Sequence, residues 1–89
     1  MEPLEGAAFR REDLQVRWQP VSDALFYEVR VMTAAGDVVF VEQTENTSLK
    51  PGTRALLTPG AKYFVVVSAH LHQGKTDKSG LVSFRIIGQ

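Results

Sequence analysis

Apolar and polar residues alternate with period two along much of this chain, and no stretch shows the 3.6-residue period of an amphipathic helix. Leu14-Gln-Val-Arg-Trp18 puts Leu14, Val16 and Trp18 on one face and Gln15 and Arg17 on the other. Tyr27-Glu-Val-Arg-Val-Met32 repeats the pattern, with Tyr27, Val29 and Val31 inward and Glu28, Arg30 and Met32 exposed. The most apolar run, Tyr63-Phe-Val-Val-Val-Ser-Ala69, has the β-branched and aromatic content of a central strand. Alternation resumes over Leu81-Val-Ser-Phe-Arg-Ile86, which groups Val82, Phe84 and Ile86. Ala7–Phe9 predicts a short first strand and Thr53–Leu57 a weaker one. Val38–Val41 is apolar throughout, so periodicity leaves open whether Val38 with Phe40 or Val39 with Val41 faces inward.

Between these segments the chain is punctuated. Arg10–Asp13 is four consecutive ions, a solvated turn because burying them is costly. Pro20, Ser22 and Asp23 break the second strand from the third. Ala34–Asp37 closes a hairpin in which Gly36 supplies positive φ. Glu42–Gly52 reads as an irregular crossing and His70–Gly80 as a polar loop. Leu57-Thr-Pro-Gly60 is a corner, with Pro59 and Gly60 suited to the second and third positions of a turn. About seven short strands, with turns roughly 8 to 12 residues apart, predict an all-β fold: a two-sheet antiparallel sandwich. Residues 1–6 are expected to be a flexible lead-in and 7–88 the domain.

With 89 residues the chain has room for one core without staples. Basic and acidic residues number ten each, so no whole-chain attraction to nucleic acid or anionic lipid is implied. The absence of cysteine removes disulfides, thiolate metal sites and cysteine nucleophiles. No window has the roughly 18 consecutive apolar residues of a membrane helix, and the first 20 residues lack the order of a signal peptide. A start that goes almost straight into a domain leads us to expect a piece of a longer protein.

Three segments in register carry a family resemblance: Leu14-x-Val-x-Trp18-x-Pro20, Tyr27-x-Val-x-Val31 and Leu57-x-Pro-Gly-x-x-Tyr63-x-Val-x-Val-x-Ala69. Together they resemble the fibronectin type III domain, an immunoglobulin-like sandwich, over Leu14 to about Ile86. The resemblance implies that Trp18 is the core tryptophan of the second strand. It also implies that Tyr63 is a corner tyrosine whose hydroxyl bonds backbone near Leu57. The segment before Trp18 is short for a full first strand, so the first edge is expected to be abbreviated. Many animal members carry an adhesive Arg-Gly-Asp before the last strand; here Gly74-Lys-Thr-Asp77 stands there, so integrin binding of that kind is not implied.

Candidate chemistry is sparse. His70 and His72 share a strand face and could approach a metal, but two ligands do not make a site. Ser68 lacks a marked base and oxyanion site. Asn46-Thr-Ser48 is a glycosylation triplet in a loop. No catalytic, cofactor or metal residues are assigned. If Tyr63, Val65, Val67 and Ala69 face the core, Phe64 and Val66 face outward with Arg30, Met32, Arg85 and Ile87. This apolar surface rimmed by charge is a candidate partner face. A candidate binding loop contains His72, Gly74, Lys75, Asp77 and Lys78. The expected role is a noncatalytic spacer or protein–protein interaction module of an extracellular or periplasmic protein. It is expected to be monomeric alone, to contact a protein partner or a neighbouring domain, and neither to bind nucleic acid nor to insert in a membrane. The alternative is a carbohydrate-binding or accessory domain of a carbohydrate-active enzyme, for which exposed flat aromatics are few.

Overall fold

The apolar halves of the alternating segments face one another across two sheets in the computed structural model, which describes residues 2–52 and 56–88. Eight strands occur among the described residues: β1 (Ala7–Phe9), β2 (Val16–Arg17), β3 (Ala24–Thr33), β4 (Val38–Thr44), β5 (Ser48–Leu49), β6 (Lys62–Leu71), β7 (Thr76–Lys78) and β8 (Val82–Ile86). The large sheet has the order β1-β8-β6-β3-β4, with β7 also paired to β6; β2 and β5 form the small sheet. All pairs are antiparallel except β1 with β8, which is parallel and departs from the fully antiparallel expectation. The result is a two-sheet β-sandwich.

Its spine is the pairing of the two ten-residue strands, β3 and β6. Inward pairs run Tyr27 with Ala69, Val29 with Val67 and Val31 with Val65. A large ring opposite a small methyl, followed by two Val–Val pairs, forms one layer of the core. Leu14, Val16 and Leu57 close over it, and Phe84, Ile86, Phe40 and Tyr63 complete the buried cluster. The Phe84 ring stacks on both Phe9 (5.5 Å) and Tyr63 (5.9 Å).

Both tyrosines also hold loops. The Tyr63 hydroxyl accepts a 2.7 Å hydrogen bond from Thr58 N–H, the contact expected near Leu57, and the Tyr27 hydroxyl accepts one from Val21 N–H at 3.0 Å. Each buries an apolar ring while its polar tip satisfies a backbone donor at a turn. Gly60 sits at φ 88° in the corner below Tyr63, a value that side-chain-bearing residues rarely adopt.

Several sequence expectations are corrected. The strand expected over Leu14–Trp18 forms a ladder only at Val16–Arg17, because a 3₁₀ turn at Arg11–Asp13 leads into Leu14. Arg11 in that turn is not simply solvated: its guanidinium donates to Leu57 O at 3.0 Å. Trp18 is half-buried, since the small sheet ends beside it. Its ring meets Tyr27 edge-on at 5.3 Å, and its Nε1 is buried without a hydrogen-bond partner. The crossing expected from Glu42 contains the end of β4 and all of β5. The polar loop after Leu71 contains β7, so a hairpin replaces most of it. The strand expected at Thr53–Leu57 lies partly outside the described residues; Leu56 and Leu57 are not in a strand, although Leu57 is buried.

The segment ahead of β1 bonds to both sheets. Glu2 exchanges two 2.9 Å backbone hydrogen bonds with Arg17 of β2, and Gly6 N–H donates to Ser83 O at 2.8 Å. The Glu5 carboxylate accepts from Ser83 N–H at 3.0 Å and from the Ser83 hydroxyl. Alternation puts Ser83 with Arg85 on the face opposite Phe84 and Ile86, where it lies opposite Phe64, but it is 4% exposed because this segment lies over it.

Two outcomes test these contacts. Tyr63→Phe is expected to lower stability by about 1 kcal/mol, read as a reduced urea midpoint with unchanged slope; an unmoved midpoint would deny the corner bond any role. The Ser83 hydrogen bonds, first through its hydroxyl and then its amide, with Lys62 adding a smaller attraction, hold the Glu5 carboxyl below the usual glutamate range. A depressed folded value means a stabilising contribution present above the unfolded value of about 4.3 and lost as pH falls through the folded one. Hydrogen exchange at Gly6 and Ser83 is therefore expected to accelerate relative to the β3–β6 core as pH falls below the ordinary glutamate range, and Glu5→Gln is expected to remove that pH dependence.

Candidate functional site

The outer face of the large sheet is built by the residues that alternate with the core. On β3 and β6 the outward pairs are Phe26 with His70, Glu28 with Ser68, Arg30 with Val66 and Met32 with Phe64. Arg30, Met32, Phe64 and Val66 are thereby adjacent, as expected. They are half-buried rather than open, because long neighbours on the same face lean over one another. The Lys62 ammonium lies 5.4 Å from the centre of the Phe64 ring, a cation–π contact that covers part of it. Arg85, the fifth predicted member, lies opposite Lys62 on β8 and donates to Gly60 O at 3.2 Å, so it belongs to the corner end of the face.

The edge strand β4 adds apolar surface in a way alternation did not foresee. A register shift between Val31 and Met32 places Val31 opposite Phe40 but Met32 opposite Val38. This bulge inserts one extra residue, so neither suggested pair stays together. Phe40 is core, Val39 packs against the core, and Val38 and Val41 are 53% and 42% exposed. Ile87, just past β8, is 45% exposed at the other margin.

At the centre of the face is a groove of about 450 Å³ lined by Glu28, Arg30, Val66, Ser68, His70, Thr76 and Lys78. It exists because Ser68 is short among long neighbours: Glu28 is its cross-strand partner on β3 and Lys78 on β7. Ser68 is 6% exposed. Arg30 Nη2 pairs with Glu28 Oε1 at 3.4 Å, while Arg30 Nε and His70 Nε2 are buried without a hydrogen-bond partner. The His70 ring stacks on Phe26 with centroids 4.5 Å apart and planes 11° from parallel.

The predicted loop divides. Lys78 joins this groove, whereas Asp77 is opposite Ala69 and lines a crevice of about 260 Å³ on the other side of β7, beside Trp18, Tyr27 and Val67. His72 and Gly74 lie in an exposed 3₁₀ turn with Gln73 and Gly74 at positive φ, and Lys75 closes the turn by accepting from Leu71 N–H at 2.8 Å. Because β6 ends at Leu71, His72 leaves the strand and the two histidines do not stand side by side as alternation suggested. Among the described residues no three His, Cys, Asp or Glu side chains gather as metal ligands, and no helix is long and apolar enough to cross a membrane. Asn46 is exposed between β4 and β5, its N–H donating to Thr44 Oγ1 at 3.1 Å.

Glu28, Ser68, His70 and Thr76 were absent from the predicted site. The alternation that placed Val66 outward also placed Ser68 and His70 there; the hairpin that brings Thr76 and Lys78 beside them left no hydrophobic signal. Comparison with protein-family models, with curated proteins and with solved structures found no match.

Phe64→Ser removes a half-covered ring and is expected to cost about 1 kcal/mol, roughly half the value of full burial, in a denaturant melt. A loss of several kcal/mol would place Phe64 in the core instead.

Proposed function

We propose that this chain is a noncatalytic interaction or spacer module of fibronectin type III character. In this reading it presents the outer face of its large sheet to a protein partner or to a neighbouring domain of the same chain. The observation that carries the reading is the composition of that face: Phe64, Met32 and Val66 side by side on β3 and β6, Val38, Val41 and Ile87 exposed at its margins, and Arg30, Lys62, Lys78 and Arg85 among them. A mixed apolar and cationic surface on a rigid sheet suits docking of a polypeptide better than it suits solvent. The Tyr63 corner and the separation of β2 and β5 from the β4-β3-β6-β8 sheet support the family assignment. A place outside the cytoplasm rests on the family resemblance alone.

The sugar-binding alternative finds less support. Sugar platforms use open, flat rings, and every large hydrophobic exposed among the described residues is aliphatic. Trp18 lies edge-on to Tyr27, Phe26 is stacked on His70 and Phe64 lies beneath Lys62.

A photo-crosslinking residue at position 64 in the natural host cell is expected to give a discrete protein adduct, while one at Asp13 on the 3₁₀ turn gives none. No adduct at 64, or the same adducts at both positions, would reject the outer face as the contact surface.

A further inference from the structure

We infer that the groove over Ser68 is a carboxylate-binding site that takes an Asp or Glu side chain of a protein partner lying across β6. The inference rests on the outer-face reading above and gives that face a chemical specificity.

Two buried polar atoms in the groove have unmet hydrogen-bonding capacity. Arg30 Nε and His70 Nε2 are buried with no partner, and the short Ser68 side chain, 6% exposed, lies between them. Buried polar groups are nearly always paired, so such a cluster on one concave surface calls for an occupant. Arg30 Nε and the Ser68 hydroxyl are donors, and the Lys78 ammonium opposite Ser68 adds a cation with no ion pair among the described residues. The one carboxylate in the lining, Glu28, is engaged by Arg30 Nη2. The groove therefore offers donors and requires an acceptor.

Charge selects among acceptors. The chain as a whole is neutral, yet its outer face carries Arg30, Lys62, Lys78 and Arg85 against Glu5 and Glu28. Arg30 pairs with Glu28 and Lys62 attracts Glu5, which leaves Lys78 and Arg85 as the excess cations of the face. Within the groove, Arg30 and Glu28 cancel and Lys78 remains, matching a monoanion. A phosphate monoester, with about −1.5 to −2 charge at neutral pH, would meet Glu28 with an excess of negative charge. Past Val66 at its end the groove continues into an apolar strip toward Phe64 and Met32. A carboxylate carried on a polypeptide covers that strip, whereas a free carboxylate leaves it open to water.

The test is a titration of the ¹⁵N-labelled domain with an acetylated, amidated hexapeptide of alternating valine and glutamate. Its valine–glutamine counterpart, sodium acetate and inorganic phosphate serve as separate arms. Saturable shifts are expected at Ser68, Lys78, the Arg30 Nε–H and the His70 ring with the glutamate peptide and not with the glutamine peptide. Lys78→Glu is expected to weaken binding by about fivefold or more. Lys50→Glu, an equal charge change beyond the end of β5, is expected to weaken it by less than about twofold. Unchanged amide spectra away from the groove verify that both variants fold. Equal binding of the glutamine peptide, equal effects of the two substitutions, or phosphate binding as tight as the peptide would each overturn the carboxylate site. Acetate binding as tight as the peptide would overturn the partner side chain as its source. Absent groove shifts together with a discrete crosslink from position 64 would reject this site and leave the outer-face reading intact; groove shifts without that crosslink would do the reverse.

Discussion

The register between β3 and β6 is the constraint on which the rest of this molecule depends. A slip of one residue would turn Tyr27, Val29 and Val31 to solvent and bring Glu28 and Arg30 into the core. The same register that seals the core also fixes what stands beside what on the other side of the sheet. Once Tyr27 lies opposite Ala69, Glu28 must lie opposite Ser68 and Arg30 opposite Val66. The groove is thus a by-product of core packing: its shape comes from a serine in a strand whose inward neighbours, Val67 and Ala69, were selected by a different surface.

Alternation carries information about faces, and so the two-sheet architecture and the outward position of Phe64, Val66, Arg30 and Met32 were legible in the sequence. The Tyr63 corner was legible as well, because Pro59, Gly60 and Tyr63 supply turn geometry, positive φ and a polar tip at a fixed spacing. Features that depend on partners distant in sequence were not. The bulge that separates Val38 from Phe40 arises where β4 meets β3, and the run of four apolar residues held no trace of it. Strand β7, Thr76-Asp-Lys78, is exposed at every position and owes its conformation to backbone bonds with β6, so it read as loop. The cover over Ser83 was not legible either, because nothing in its own neighbourhood announces Glu5, 78 positions earlier.

The incomplete second sheet explains why Trp18, though packed against the core, is only half-buried. Trp18 has the spacing of a core residue, and alternation put it inward. Yet β2 and β5 provide only two residues each, too little to cover an indole from the far side. The ring leans on Tyr27 instead, and Tyr27 in turn holds Val21. The region between the second and third strands is therefore organised by aromatic contact more than by ladder.

The parallel pairing of β1 with β8 has a mechanical consequence. Tension entering ahead of β1 and leaving after β8 pulls on opposite ends of that ladder. The hydrogen bonds are then strained side by side, in shear, instead of being peeled one at a time as they would be in an antiparallel pair pulled from its open end. The Glu2–Arg17 bridge and the Glu5–Ser83 clasp also tie the segment ahead of β1 to β2 and β8. Pulled from its two ends, a domain with this arrangement loads the β1–β8 ladder as a unit.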